Sequence, residues 1–385
     1  MIILPYIILL VVFFILANID THNIRFSKQS SYNMLYYMAI VIMVLFAGCR
    51  WFDVPLFQDG EWIIFDYSAY EHVYNNPLSN GSDFFSDFFS SDRYIKSMDF
   101  GYVYLSSFFS NYVFSNANLF FLLISAVTIT FFAKGLKRNN IQYGIFLILF
   151  IYLSRLYFQY NFIMMRQALA MAICWWAIPY IQERRFWKFL LFCCLGGLMH
   201  FSGFFFIIAY FFPKFKFSNT FLLITLPILF ILSVTGMIDK SILFLVERMG
   251  HFVNISDRVA IYLHGSSYSR GINPLNYLEI APFLYFAVKY RKNICMTENG
   301  KFFFNMLIVY TLFMILTMNF MGLTRISSYY IYSYLYITSY VFKNTEIYTN
   351  RIMYGYALCI YFMIYGIRFL LINPTSRGYY LFFLN

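Results

Sequence analysis

The residues of this chain best suited to chemistry are arginines in unusual company. Arg166 and Gln167 stand in "NFIMMRQALAMAICWWAIPY" (161–180), an otherwise apolar run. An arginine at the centre of a membrane helix costs about 2.5–3.5 kcal/mol, less near an end, and those that persist usually face a cavity or a partner. Guanidinium groups present a planar fork that matches phosphate oxygens, so such an arginine reads as an anion site. His200 lies in the Gly-rich "GGLMHFSGF" (196–204), and an imidazole titrates near working pH, as a general base must. Asp66 stands among Tyr67, Tyr70 and Tyr74, with Glu61 and Glu71 at approximately helical spacing. Carboxylates bind or deprotonate hydroxyls, and tyrosine faces stack on sugar rings, so this segment fits carbohydrate. Plainer readings stand beside each of these. An arginine can pair with a loop carboxylate or snorkel to headgroups, a lone histidine can be structural, and the Tyr-rich segment can be an interfacial helix with an aromatic belt.

No H-E-x-x-H, D-x-D or Cys/His spacing argues for a metal, and no cofactor is expected. The six cysteines, at 49, 174, 193, 194, 295 and 359, form no C-x-x-C and mostly lie in apolar runs. Neither a disulfide framework nor a zinc site is expected from them.

The elements that must position these groups are membrane spans. Of the 385 residues, 61% are hydrophobic and only 12% charged, against about 25% charged in soluble domains. The chain reads as one all-α polytopic membrane domain over 1–385. The net charge of +11 comes from short basic clusters between apolar runs, which act as topology determinants and give no nucleic-acid signal. The opening segment lacks a basic n-region and a cleavage site and reads as a retained span. Runs long enough to cross about 30 Å of hydrocarbon occur near 1–17, 33–49, 115–133, 141–157, 161–181, 219–236, 274–290, 302–321, 325–342 and 352–373. With 186–212 the expected total is about 11–12 transmembrane segments.

Basic short loops set the orientation: Arg25/Lys28, Lys134/Lys137/Arg138, Arg184/Arg185/Lys188, Lys289/Arg291/Lys292 and Lys343/Arg351 fall on the cytoplasmic side. Loop 50–114, with nine of the seventeen acidic residues, and loop 237–273 then face outward. Parity holds if 186–212 is a helical hairpin with His200 at its outer tip, Gly196, Gly197 and Gly203 supplying the turn. A single tilted helix is the alternative. Arg166 then lies about 8 Å below the outer boundary, near the depth expected for His200. Arg50, Arg155 and Arg325 fall at outer helix ends, and Arg258 belongs to the second outer loop. Cations gathered on the outer side suit a lipid-linked pyrophosphate. Parity puts the C-terminal tail outside, although Arg368 and Arg377 pull it inward.

Several motifs together resemble the EpsG-like, Wzy-type family of bacterial polysaccharide repeat-unit polymerases. They are Arg50 closing the second span, Asp66-Tyr67-x-x-Tyr70, "DFGYVYL" (99–105), "RQALAMAI" (166–173), "GLMHFSGF" (197–204), "RVAIYL" (258–263) and "TRISSYY" (324–330). Two departures stand out. Sixteen positions separate Arg50 from Asp66, so Asp53 or Asp59 is an alternative counterpart. The family's Glu-x-Gly-Tyr appears as Asp99-Phe100-Gly101-Tyr102.

The resemblance implies a glycosyltransferase-C-like membrane fold and metal-independent glycosyl transfer at the outer face of the bacterial plasma membrane. It makes undecaprenyl-pyrophosphate-linked oligosaccharide both donor and acceptor, for O-antigen, capsule or exopolysaccharide. A chain-length regulator and a flippase are accompanying partners. Arg166 and Arg325 would meet the leaving pyrophosphate, with Arg50 and Arg258 as supporting phosphate or loop-anchoring residues. His200 would be the base, with Asp66 its rival, and Gln167, Tyr70, Tyr102 and Tyr329 would bind substrate. A flippase of lipid-linked sugars is the non-enzyme rival, although neither deep charges in several spans nor a two-halved repeat is evident. An outer-face ligase or acyltransferase is the enzyme rival.

Overall fold

The computed structural model describes residues 3–22, 29–51, 57–58, 61–62, 66–79, 81–96, 98–218, 220–238, 240–241, 274–317, 325–344, 348–372 and 380–381. Helices dominate these residues. The only extended pairings among them are two antiparallel two-residue ladders, Arg50–Trp51 with Tyr380–Leu381 and Phe57–Gln58 with Glu61–Trp62. Six helices among the described residues are long and apolar enough to cross a membrane, and three shorter apolar ones lie at 186–199, 201–214 and 221–234. The protein is an all-α, multi-pass membrane protein.

Two compact units divide the chain, one of 1–204 with 338–385 and the other of 205–337. The first carries α1 (Leu4–Thr21), α2 (Gln29–Gly48), α3 (Asp66–Asn75), α4 (Phe84–Ser90), α5 (Arg93–Lys96) and α6 (Phe100–Tyr112). It continues with α7 (Ala117–Arg138), α8 (Ile145–Tyr152), α9 (Met165–Gln182) and α10 (Phe186–Met199). All eight residues of α8, "IFLILFIY", are buried, as a helix apolar on every side requires. Around it, α1 and α2 turn one apolar face inward and leave Ile8, Ile15, Tyr37 and Val41 exposed. Such apolar faces suit hydrocarbon rather than water.

Local sequence sets the ends of these helices. Asn116 caps α7 by accepting the Asn118 N–H at 2.8 Å, and Lys137 and Arg138 lie in its last turn, where the helix dipole favours cations. Gly144 starts α8 with φ +68°. The cap there comes from α1, where the Asp20 carboxylate accepts the Phe146 N–H at 2.5 Å and the Leu147 N–H at 3.3 Å.

One boundary differs from the sequence expectation. Separate spans at 141–157 and 161–181 predict a break between them, but α8 runs on through Leu153–Ile163 wound as a π-helix, and the break falls at Met164, with φ −107° and ψ 55°. The wider coil holds Tyr157, Phe158 and Phe162 in the interior, where apolar pattern alone does not reveal a change in winding. Arg166 consequently sits in the first turn of α9.

Within the second unit, aromatic residues fill the interior. Phe283 stacks on Tyr334 at 3.8 Å, and Phe206 meets Tyr329 and Tyr330 at 6.0 and 5.8 Å. Asn305 donates to the carbonyls of Phe212 and Phe215 at 2.7 and 3.1 Å, satisfying the end of the 3-10 stretch Phe201–Lys214.

Candidate active site

The site is built where the start of α6, the start of α9 and the end of α10 meet. Gly101 makes this approach possible, since a Cβ there would lie 2.6 Å from the Leu198 carbonyl oxygen. Asp99 occupies the N-cap position of α6 in extended conformation, yet its side chain does not cap its own helix. The carboxylate instead accepts from the Arg166 guanidinium at 2.6 Å and, through its other oxygen, from the Phe201 N–H at 3.1 Å. One acid thus ties the arginine of α9 to the backbone next to His200. The paired side chains are 14% and 22% exposed, enclosed enough to strengthen the interaction and open enough to be reached.

Below Arg166 lies a layer of tyrosines. Its guanidinium carbon is 5.5 Å from the Tyr70 ring centre and 5.9 Å from that of Tyr102, and the two rings lie 5.5 Å apart. Such cation–π contacts hold the guanidinium plane in place. Burial pushes the Tyr102 phenol well above its ordinary value, with Tyr70 adding to the rise and Arg166 and Arg50 opposing it. Tyr102 is therefore a neutral hydroxyl at working pH, and its oxygen has no hydrogen-bond partner among the described residues. Gln167, beside Arg166, is fully buried.

At the end of α10 the chain leaves the helix at His200, with φ −155° and ψ 123°. It reverses so tightly that a Cβ on Gly203 would lie 2.7 Å from the Gly196 carbonyl carbon and the Gly197 nitrogen. His200 Nδ1 lies 2.7 Å from the Ser202 hydroxyl and 3.3 Å from the Ser202 N–H. Because Nδ1 accepts from the Ser202 N–H, the neutral ring carries its proton on Nε2, and in the contact between Nδ1 and the hydroxyl it is Ser202 that donates.

Arg50 lies against Tyr67, the first tyrosine of α3. It is fully buried, donates to the Ala47 carbonyl at the end of α2, and stands 5.7 and 5.4 Å from the Tyr67 and Phe162 ring centres. Tyr67 donates to Asn118 Oδ1 at 2.9 Å. Burial raises its phenol and Arg50 pulls it partly back. Helix α3 buries Tyr67, Tyr70 and Tyr74 at 0–2% exposure, so these rings form an interior face rather than an exposed belt. Burial likewise lifts Tyr74 to about 12.

The structure thus brings Arg166, Gln167, Tyr70, Tyr102 and His200 together. Asp66 is the first residue of α3, while Glu61 pairs in a short ladder and so leaves the helical series expected of it. Arg325 and Tyr329 belong to the second unit, where Tyr329 is buried and the Arg325 carbonyl accepts from Ser328. Arg258, Asp53 and Asp59 lie outside the described residues, as does most of loop 237–273. Sequence reading does not single out Asp99 and Ser202, which the structure places against Arg166 and His200. For Asp99 the signal was its place at the head of "DFGYVYL", the segment already matched to the family's acidic motif. For Ser202 it was only its proximity to His200.

Fold and site define a multi-pass membrane protein with an arginine–carboxylate pair beside a histidine turn. The chain belongs to the EpsG family, whose model matches residues 33–383. Membership supports a polysaccharide-polymerase-like role in general terms. No curated protein and no solved structure matches the chain.

Proposed function

We propose that this protein joins oligosaccharide repeat units carried on undecaprenyl pyrophosphate into O-antigen, capsule or exopolysaccharide at the outer face of the bacterial plasma membrane. The observation that carries the reading is the pairing of Arg166 with Asp99 in the first turn of α9. The amino end of a helix already favours an anion, and a part-exposed arginine there adds the bidentate donors that phosphate takes. Asp99 is the resident anion, and an incoming pyrophosphate competes with it for the guanidinium.

In the proposed reaction an acceptor hydroxyl oxygen forms a bond to the anomeric carbon of the donor sugar. The bond from that carbon to the pyrophosphate oxygen breaks, and its electron pair leaves on the lipid pyrophosphate. Arg166 strengthens its hydrogen bonds as that charge develops. His200 takes the proton of the acceptor hydroxyl, with Ser202 fixing the ring. Tyr70 and Tyr102 hold the guanidinium plane, and Gln167 supports the start of α9. The complete burial of Arg50 favours a loop-anchoring role over direct phosphate contact. The hairpin reading of 186–212 places His200 at a recessed outer tip, and the reversal at Gly203 supports it.

The test is a gel of surface polysaccharide from a host deleted for the gene and complemented with wild type, Arg166→Ala or His200→Ala. A ladder with wild type and carrier bearing one repeat unit with either variant is expected. Loss of all external repeat units in the deletion strain would indicate a flippase, and an intact ladder of altered mass a decorating enzyme.

A further inference from the structure

A cleft of about 280 Å³ opens beside the site, between α4, the start of α6 and the end of α10. We propose that it seats the first isoprene units of the carrier lipid whose pyrophosphate meets Arg166, an inference that rests on the reading above. Its walls include Phe84, Phe85, Phe100, Tyr104, Leu198 and Met199. Phe100 directly follows Asp99, and Met199 directly precedes His200. The cleft therefore begins at the two backbone positions that hold the acid and the imidazole. An anionic head at Arg166 would have its hydrocarbon led straight into it.

The lining side chains are hydrocarbon apart from the Tyr104 hydroxyl and the Met199 sulfur. Sugar recognition needs several convergent polar groups, so the cleft suits the tail of a lipid-linked sugar and not its glycan. Its walls are open where a tail would lie, with Phe85 57% and Tyr104 44% exposed. They are also held in place. Phe84 packs edge-on against Tyr104 at 5.1 Å, and Asp87 of α4 accepts from both the hydroxyl and the N–H of Ser79. The segment "DFFSDFFSSD" (83–92) supplies this wall. It folds as a short helix whose Phe84 and Phe85 line the cleft while Asp87 fastens it.

The experiment places a photoreactive benzoylphenylalanine at position 85, 104 or 223 of the full-length protein in lipid nanodiscs. Position 223 is an exposed apolar site of the second unit and reports contact with bulk lipid. Labelled undecaprenyl pyrophosphate is the probe, and its binding to wild type and Arg166→Ala is measured separately. Adducts at 85 and 104 should exceed those at 223 by about tenfold, the ratio given by a ~1.4 kcal/mol preference. Unlabelled undecaprenyl pyrophosphate should suppress them, and Arg166→Ala should weaken them. Arg166-dependent binding without adducts at 85 and 104 would overturn the cleft and leave the phosphate reading standing. Equal adducts at all three positions, insensitive to competitor, would show bulk lipid or an acyl chain there and also overturn it. Absence of Arg166-dependent binding would remove the phosphate reading and this inference together.

Discussion

Arg50 and Arg166 each lie against buried tyrosines, Arg50 near Tyr67 and Arg166 near Tyr70 and Tyr102, and sequence gives them similar standing as cations at helix ends in an apolar chain. The structure treats them in opposite ways. Arg50 is sealed, its guanidinium turned onto the carbonyl of its own helix end and sandwiched between Tyr67 and Phe162. Arg166 remains reachable, bound to a carboxylate from another helix and lying over Tyr70 and Tyr102. A sealed cation closes the end of its own helix. A reachable cation paired with an exchangeable carboxylate is available to a competing anion. The same side chain thus stands in two opposite surroundings, one sealed and one reachable.

The sharpest way to break this comparison is to truncate each arginine and measure polymer and protein separately. Arg166→Ala should lower the polymerisation rate by about 10²–10³-fold, the usual loss on removing a donor to developing charge, with membrane abundance near wild type. Arg166→Lys should recover little, since a point charge cannot replace a planar fork. Arg50→Ala should instead destabilise the protein by about 2–5 kcal/mol, the range for truncating a large buried side chain. It would be read as a lowered melting temperature of the detergent-solubilised protein. Normal abundance and melting for Arg50→Ala with complete loss of polymer would mean that both arginines serve chemistry.

Asp99 sharpens the comparison from the other side. Asp99→Asn keeps an acceptor for the Phe201 N–H but removes the charge that holds Arg166. A loss of about tenfold in rate, ~1.4 kcal/mol, is expected, and Asp99→Ala should lose more because the His200 turn is also released. If Asp99→Asn were more active than wild type at low substrate, the carboxylate would be acting only as a competitor for the site. The close backbone contacts should matter next. Gly203→Ala would put a methyl 2.7 Å from the Gly196 carbonyl carbon and the Gly197 nitrogen, and backbone cannot yield as a side chain can. Such overpacking costs ~1–3 kcal/mol and should move His200, lowering rate more than abundance in a side-by-side assay and blot.

Most of the helical framework was legible because apolar runs of membrane length are bounded by charged or Gly-containing loops. The observed ends of α2, α7 and the helix at 348–372 fall within a few residues of the expected runs. The junction at Met164 was not legible. Residues 153–163 are as buried in a π-helix as they would be in two separate spans, and composition reports burial rather than winding. In the site, Arg166 and His200 stood out by type, because a cation and an imidazole are conspicuous in apolar surroundings. Asp99 did not, because a carboxylate in an acid-rich loop looks solvated until its partner is located. The tyrosines of α3 were legible as a helical set, but whether that face met lipid or protein depended on α6 and α7 packing over it.

Ser202 should give the smallest effect, and it separates two roles for the hydroxyl at His200. If Ser202 only fixes the ring, Ser202→Ala loses one hydrogen bond worth ~0.5–1.5 kcal/mol and slows polymerisation a few-fold. The imidazole then keeps its chemistry with a looser orientation. Ser202→Thr retains the hydroxyl and should restore most of the rate, whereas His200→Ala should remain far slower than either. A hydroxyl that itself attacked the sugar would behave differently, because its removal would be as damaging as loss of the histidine. Turnover by the two alanine variants, measured on the same membranes, therefore distinguishes orientation from nucleophilic attack, and a few-fold loss at Ser202 beside a much larger one at His200 is the expected result.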